Sequence, residues 1–212
     1  MQNLTEIALI RSPRRVFTRT EVALWAGGSP DRQFSLLKRA MAAGEIVRIR
    51  RGLYCLVEKY SREKIDPRVL AQRIHGPSYL SLETALSHHG WIPEAVYTVT
   101  SVSMDRSREF DTPLGRFSFT RVPQEVFYTE VTRLETKEGD VFLLASPLKA
   151  LADYVYVHKC DWSSVQPIVG SLRVQRSAFS LLESATFDRL MVNYSSRRVI
   201  RFLSGLRKEL CR

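Results

Sequence analysis

The sequence predicts an α+β protein: an N-terminal winged helix-turn-helix, then a larger mixed α/β domain with a small antiparallel or mixed sheet and C-terminal helices. Three observations predict it. Capped helical segments fill the first 45 residues and give way to an alternating, arginine-bearing stretch; from Ala95 the chain becomes rich in β-branched and aromatic residues; from Ser146 helical spacing returns. The excess positive charge sits at the two ends. Residues 1–58 hold ten Lys/Arg against five Asp/Glu, residues 188–212 seven against two, and residues 59–187 fifteen against fifteen, which accounts for the net charge of +10. Basic side chains concentrated in this way build a local positive potential that favours polyanions.

A chain of 212 residues with 44% apolar and 25% charged content has room for one large or two small globular domains. No stretch approaches the ~20 apolar residues needed to cross a bilayer, and Met1 to Ile10 lack a basic segment followed by a long apolar run. A cytoplasmic protein is expected. Cys55, Cys160 and Cys211 are odd in number and widely spaced, which fits reduced thiols rather than a disulfide framework or a zinc site. Neither metal nor cofactor is expected.

The first helix is predicted over Asn3 to Arg11, with Leu4, Ile7 and Ala8 at helical spacing, ending before Ser12-Pro13 because proline disfavours helix in the residue before it. In Thr18-Arg19-Thr20-Glu21 the hydroxyl and carboxylate can form a reciprocal capping box, opening a helix through Trp25 with Val22, Leu24 and Trp25 as its apolar side. Gly27-Gly28 breaks the chain; Ser29 caps, and Pro30 starts, a third helix four residues later. That helix is expected to run to Ala43 and stop at Gly44. Phe34, Leu37 and Met41 share one face of it, while Arg32, Ser35, Lys38 and Arg39 line the other and Gln33 lies at the edge, placed to meet an adenine. Taken alone, such a basic face is better explained by solvation.

The next segment shifts that balance. From Ile46 the period becomes two, with Ile46, Arg48 and Arg50 on one side and Val47 and Ile49 on the other, then an Arg51-Gly52 turn and a returning strand Leu53 to Leu56. Helix, helix, helix, hairpin is the order of a winged helix, and Arg48, Arg50 and Arg51 stand where a wing meets sugar-phosphate backbone or enters a minor groove. The candidate DNA-binding set is Arg32, Gln33, Ser35, Lys38, Arg39, Arg48, Arg50 and Arg51. Trp25 and Tyr54 are assigned to the small domain's core.

Val57 to Asp66 is polar and reads as a linker or connecting helix, which divides the chain into residues 1–60 and 66–212. Asp66-Pro67 caps a helix carrying Val69, Leu70, Arg73 and Ile74 up to Gly76-Pro77, and Ser81 opens another carrying Leu82, Ala85 and Leu86 up to Gly90. Strands are expected at Val96 to Val102, Gly115 to Val122, Val126 to Val131 and Val141 to Ala145, a sheet of about four strands. Ser146-Pro147 starts a helix through His158 with Leu148, Leu151, Ala152, Val155 and Tyr156 inward, and helices follow over Gln175 to Leu190 and Ser195 to Leu210. The last has an apolar face of Val199, Phe202, Leu203 and Leu206 and carries Arg197, Arg198, Arg201, Arg207 and Lys208 elsewhere. It reads as a packed helix with solvated arginines, with a further polyanion contact as the alternative.

Three blocks in this order carry a resemblance: Arg48-Ile-Arg-Arg-Gly-Leu-Tyr54 closing the winged helix, Tyr79-Leu-Ser-Leu-Glu-Thr-Ala-Leu-Ser-His-His-Gly90, and Ala145-Ser-Pro-Leu-Lys-Ala-Leu-Ala-Asp-Tyr154 after a β-rich stretch. The chain resembles the AbiEi antitoxins of type IV toxin-antitoxin systems over residues ~15 to ~160. The resemblance implies a two-domain protein that represses its own operon by binding promoter repeats in double-stranded DNA and counteracts a nucleotidyltransferase toxin of the AbiEii type without a stable complex. It implies that the C-terminal domain carries the antitoxin activity, and it transfers no catalytic residues.

Enzymatic readings are weaker. Glu135-Thr-Lys137 with Asp111 and Asp140 sketches a magnesium-dependent nuclease, but Glu130 to Asp140 reads more simply as a hairpin loop. His88-His89 are adjacent on a helix, so their side chains diverge by about 100° and cannot share one metal. Gly170-Ser171 lacks the paired aspartates of a nucleotide-transfer site, and Asp153 is expected to pair with Lys149 one helical turn earlier. A stand-alone regulator whose C-terminal domain senses a ligand is the remaining alternative.

Overall fold

The computed structural model describes residues 3–12, 15–60 and 64–211. Pro13, on which the end of the first helix was argued, and Arg62 and Glu63 of the expected linker lie outside them. In chain order the N-terminal elements are α1 (Leu4–Arg11), β1 (Val16–Thr18), α2 (Arg19–Ala26), α3 (Pro30–Ala42), β2 (Ile46–Arg50) and β3 (Leu53–Leu56). Asn3 and Thr18 each close a full capping box, with Glu6 and Glu21, and Ser29 accepts the Arg32 amide at 3.3 Å above Pro30. Gly27 and Gly28, both at positive φ (59° and 74°), supply the turn between α2 and α3, a conformation that costs a side-chain-bearing residue free energy.

Strand β1 was not expected. It pairs antiparallel with β3, which pairs with β2, so the wing is part of a three-stranded sheet in the order β1-β3-β2. One face of that sheet meets α1 to α3 through Phe17, Ile46, Tyr54 and Leu56, packed with Leu4, Val22, Leu36, Leu37 and Ala40. Tyr54 stacks on Phe17 at 6.1 Å and Trp25 tilts against it at 5.8 Å, so both aromatics serve the core as expected. The other face, Val16, Ile49, Leu53 and Cys55, joins the core of the larger domain. Ile49 packs on the same side as Val47, as expected, but a β-bulge between Arg48 and Arg50 breaks the alternation after it and sets Arg50 opposite Leu53, away from the Arg48 side.

The two apolar faces expected for α2 and α3 need correction. Leu24 is 81% exposed and Phe34 57% exposed, whereas Leu36, Leu37 and Ala40 form the buried stripe of α3. Leu36 and Leu37 lie about 100° apart, so the stripe is centred between them, and Phe34 falls on its outer flank.

The larger domain contains α4 (Pro67–Ile74), β4 (Ser78–Leu80), α5 (Leu82–His88), β5 (Thr98–Ser103), β6 (Arg108–Thr112), β7 (Gly115–Arg121), β8 (Val131–Glu135), β9 (Val141–Ala145), α6 (Pro147–Val157), α7 (Val165–Leu172), α8 (Ser184–Asn193) and α9 (Arg197–Leu210). Its sheet is mixed and six-stranded, in the order β6-β7-β5-β4-β9-β8. Pairs β4·β9 and β5·β7 are parallel and the others antiparallel. The four-strand expectation missed β4 and β6 and took Val131 to Glu135 for part of a loop. Val126 to Val131 is irregular up to Val131 rather than a strand, with Val126 and Tyr128 exposed. The expected helix over 175–190 is instead a 3-10 turn (Arg176–Leu181) followed by α8, and α7, which holds Gly170 and Ser171, was missed.

One feature of this core bears directly on the sequence blocks. Lys149 and Asp153 pair at 3.6 Å as expected, but both are fully buried. Asp153 accepts hydrogen bonds from Tyr194 (2.6 Å), Ser81 (2.7 Å) and Tyr79 (3.0 Å). Lys149 donates to the Tyr194 hydroxyl at 2.7 Å and to the Gln124 side chain, which itself donates to Tyr79 at 2.9 Å. Asn193, at the end of α8, donates to Gln124 at 3.2 Å and accepts the Val126 amide at 2.7 Å. Burial holds the Lys149 pKa below its usual value, opposed by Asp153; burial and Asp153 push both tyrosines well up. A buried ion pair is tolerated only where such partners satisfy it, and here they tie β4, α6 and α8 together.

Candidate nucleic-acid interface

The site is built from α3 and the β2–β3 hairpin. Because Leu36, Leu37 and Ala40 fix which side of α3 is buried, Arg32, Ser35, Lys38 and Arg39 fall on the opposite, exposed side. Their positions span two turns of a helix that begins at a tight turn after α2, the placement of a recognition helix. Arg39 folds back over its own helix to the Ser35 carbonyl at 3.3 Å, an exposed bond that solvent or a base edge replaces at little cost. Among the described residues, no carboxylate forms an ion pair with Arg32, Lys38, Arg39, Arg48 or Arg51. Arg48 and Arg51 are exposed on the wing.

Two nominated residues are placed differently from the expectation. Gln33 is half-buried, and its amide donates to the Gly28 carbonyl at 3.1 Å, so it shapes the turn between α2 and α3 instead of lying free for an adenine. Arg50 turns away from the solvent side of the wing: it donates to the Arg51 carbonyl at 3.0 Å and toward the Arg73 carbonyl at 3.5 Å, and its Nε is buried. The bulge before it provides the reason. It leaves Arg48 opposite Tyr54 but sets Arg50 opposite Leu53, on the side that faces the larger domain and α4.

The same junction is sealed by Arg73, which donates to the Val16 carbonyl at 3.1 Å and pairs with Glu21 at 3.4 Å. Sequence reading did not connect Arg73 with the winged helix. Only the fold joins residues so far apart in the chain, and no local pattern signals it.

The other basic segment is a packed helix as expected, but three of the arginines expected to be solvated are paired with acids. In α9, Val199, Phe202, Leu203 and Leu206 are fully buried, Arg201 and Arg198 pair with Asp161 (2.7 and 3.5 Å), and Arg207 pairs with Asp188 (2.5 Å). Gly205 lets its backbone approach residue 163 so closely that a Cβ there would sit 2.0 Å from the Ser163 carbonyl oxygen. The nuclease sketch fails on topology. Asp111 is on β6 and Glu135 on β8, opposite edges of the sheet, and five interstrand steps of ~4.8 Å separate them by about 24 Å. Asp111 lies 3.5 Å from Arg116 on the neighbouring strand. His88 and His89 diverge to different partners, Arg68 (3.0 Å) and the Ala145 carbonyl (2.9 Å). No grouping of three or more His, Cys, Asp or Glu suited to a metal occurs among the described residues, and no helix among them is long and apolar enough to cross a membrane.

Residues 6–57 match the family model described as "Transcriptional regulator, AbiEi antitoxin". The matched span covers α1 through β3, so the expected likeness to AbiEi antitoxins holds over the winged helix. No curated protein matches the chain.

Proposed function

We propose that this AbiEi-type winged helix binds duplex DNA with α3 in the major groove and the wing on the adjacent backbone, and that the chain is the antitoxin of a type IV toxin-antitoxin system. In this reading residues 1–60 repress the chain's own operon at promoter repeats, and residues 66–212 counteract a nucleotidyltransferase toxin without a lasting complex. It is a regulator and not an enzyme, and it acts in the cytoplasm.

The observation that carries the reading is the row of cations on α3 that form no ion pair with a carboxylate among the described residues. A helix that merely solvates its charges gains by pairing them with acids at i±3 or i±4, whereas a phosphate-binding face keeps its cations available. Arg32, Lys38 and Arg39 supply charge to backbone phosphates and, for Arg39, a fork suited to guanine; Ser35 is a small polar group beside them. Arg48 and Arg51 hold flanking phosphates or a minor groove. Gln33 and Arg50 position the turn and the wing.

The test is fluorescence anisotropy on a duplex carrying the promoter upstream of the chain's reading frame. Arg39→Ala is expected to cost roughly 1–3 kcal/mol on the cognate duplex and less on scrambled sequence, and Arg51→Ala to weaken both alike with a salt slope shallower by about 1. Wild-type affinity in both variants overturns the groove assignment. The toxin half of the reading is tested separately, by co-expression with an adjacent nucleotidyltransferase. A chain with Arg32, Lys38 and Arg39 changed to alanine loses repression and keeps protection.

A further inference from the structure

Between the wing tip and the larger domain lies a cleft of about 400 Å³, lined by Arg50, Arg51, His75, Asp105, Arg108 and Phe110 among others. It draws on three separate parts of the chain: the wing, the end of α4, and the segment entering β6. Beside this cleft two enclosed nitrogens, Nε of Arg50 and Nε2 of His75, have no hydrogen-bond partner among the described residues. The His75 ring is held edge-on to Phe119 at 5.2 Å and tilted against Phe110 at 6.0 Å, which fixes its direction.

The charge of the cleft is unbalanced. Three guanidiniums, from Arg50, Arg51 and Arg108, meet one carboxylate, Asp105, and among the described residues none of the three forms an ion pair. Asp105 is fully exposed, and its carboxylate is engaged first by the Arg106 backbone amide. Burial and then the proximity of Arg108 hold the Arg50 pKa below the usual arginine value. Like charges brought together in a partly desolvated place are unfavourable unless an anion joins them.

We propose that this cleft binds a phosphate-type oxyanion, held between Arg108 of the larger domain and Arg50 and Arg51 of the wing. A tetrahedral oxyanion offers several acceptors at once and matches guanidinium groups coming from two sides. The phosphate comes either from a DNA backbone running past the wing, in which form the inference rests on the proposed DNA binding, or from a free phosphorylated molecule. Either way the ligand bridges the winged helix and the larger domain.

The experiment compares the full-length wild type with Arg108→Gln, an exposed position outside the recognition helix and wing, and with Arg201→Gln as a control of equal charge change. Thermal unfolding is followed in inorganic phosphate and in chloride at matched ionic strength, and duplex binding by anisotropy against salt. Loss in Arg108→Gln of a phosphate-specific rise in Tm, with duplex binding intact, identifies a free phosphate ligand. A salt slope shallower by about 1, with a several-fold weaker duplex affinity, identifies backbone phosphate. The proposal is overturned if Arg108→Gln changes neither quantity, or if Arg201→Gln changes them equally. A wild type that binds no duplex refutes the groove assignment alone, since the phosphate arm still decides the cleft.

Discussion

Helices α3 and α9 carry nearly the same sequence signature, an apolar stripe flanked by arginine and lysine, yet the fold uses their charges in opposite ways. On α3 the cations face solvent without ion-pair partners among the described residues; on α9 three of the five, Arg198, Arg201 and Arg207, are taken up by Asp161 and Asp188, which come from before α7 and from α8. Lys149 extends the contrast, since its charge is enclosed altogether. A count of basic residues gives the field of a segment only when their partners are also known, and those partners are set by tertiary packing.

The sharpest way to break this contrast is at its buried end. Asp153→Ala leaves the Lys149 ammonium enclosed and unpaired, and denaturant unfolding is expected to show a loss of about 3–5 kcal/mol. The matching change at the surface, Asp161→Ala, is expected to stay within about 0.5 kcal/mol, because an exposed pair contributes little. Equal losses would mean that the two cation environments do not differ as the burial implies.

Next in size is the exchange of triple variants. Replacing Arg32, Lys38 and Arg39 with alanine is expected to reduce duplex affinity by roughly two orders of magnitude and flatten the salt slope by about 2.7, three phosphates at 0.9 each. Replacing Arg198, Arg201 and Arg207 removes the same charge but is expected to change duplex affinity only about twofold, through the long-range field. A similar loss in both sets would show that net charge, not the exposed row, drives binding.

The smallest expected effect concerns pH. Burial and Asp153 raise the pKa of Tyr79 and Tyr194 in the folded state, so their contribution to stability is full below about pH 10 and declines as pH rises further. The depressed Lys149 acts in the opposite sense, adding stability as pH approaches its unfolded value from below. Stability is therefore expected to fall beyond pH 10, and ultraviolet titration should find these two tyrosines ionising only as the chain unfolds. Early ionisation of all eight tyrosines would contradict the enclosure of the network.

Helices α2, α3 and α4 were legible because their signals are local. Thr18 and Glu21, Ser29 and Pro30, Asp66 and Pro67 satisfy helix ends within a few residues of themselves, and the structure places caps at each. Strands β1, β4 and β6 were illegible for the converse reason. They are three to five residues long, and what makes each a strand is the neighbour it pairs with. Phe34 misled because the stripe on α3 is narrow, and hydrophobicity alone does not tell its edge from its centre.

Of the candidate site, the sequence by itself determined which residues share the exposed side of α3 and that a hairpin bearing arginines follows, since helical and strand periodicities are fixed by backbone geometry. The tertiary structure alone decided which of those cations stay available. It turned Arg50 from the wing to the larger domain, drew Gln33 into the turn, gave Arg198, Arg201 and Arg207 of α9 their acids, and enclosed Lys149 with Tyr79, Asp153 and Tyr194. The physical reason is that electrostatic interactions depend on distance and burial between groups far apart in the chain, and neither quantity exists before the chain folds.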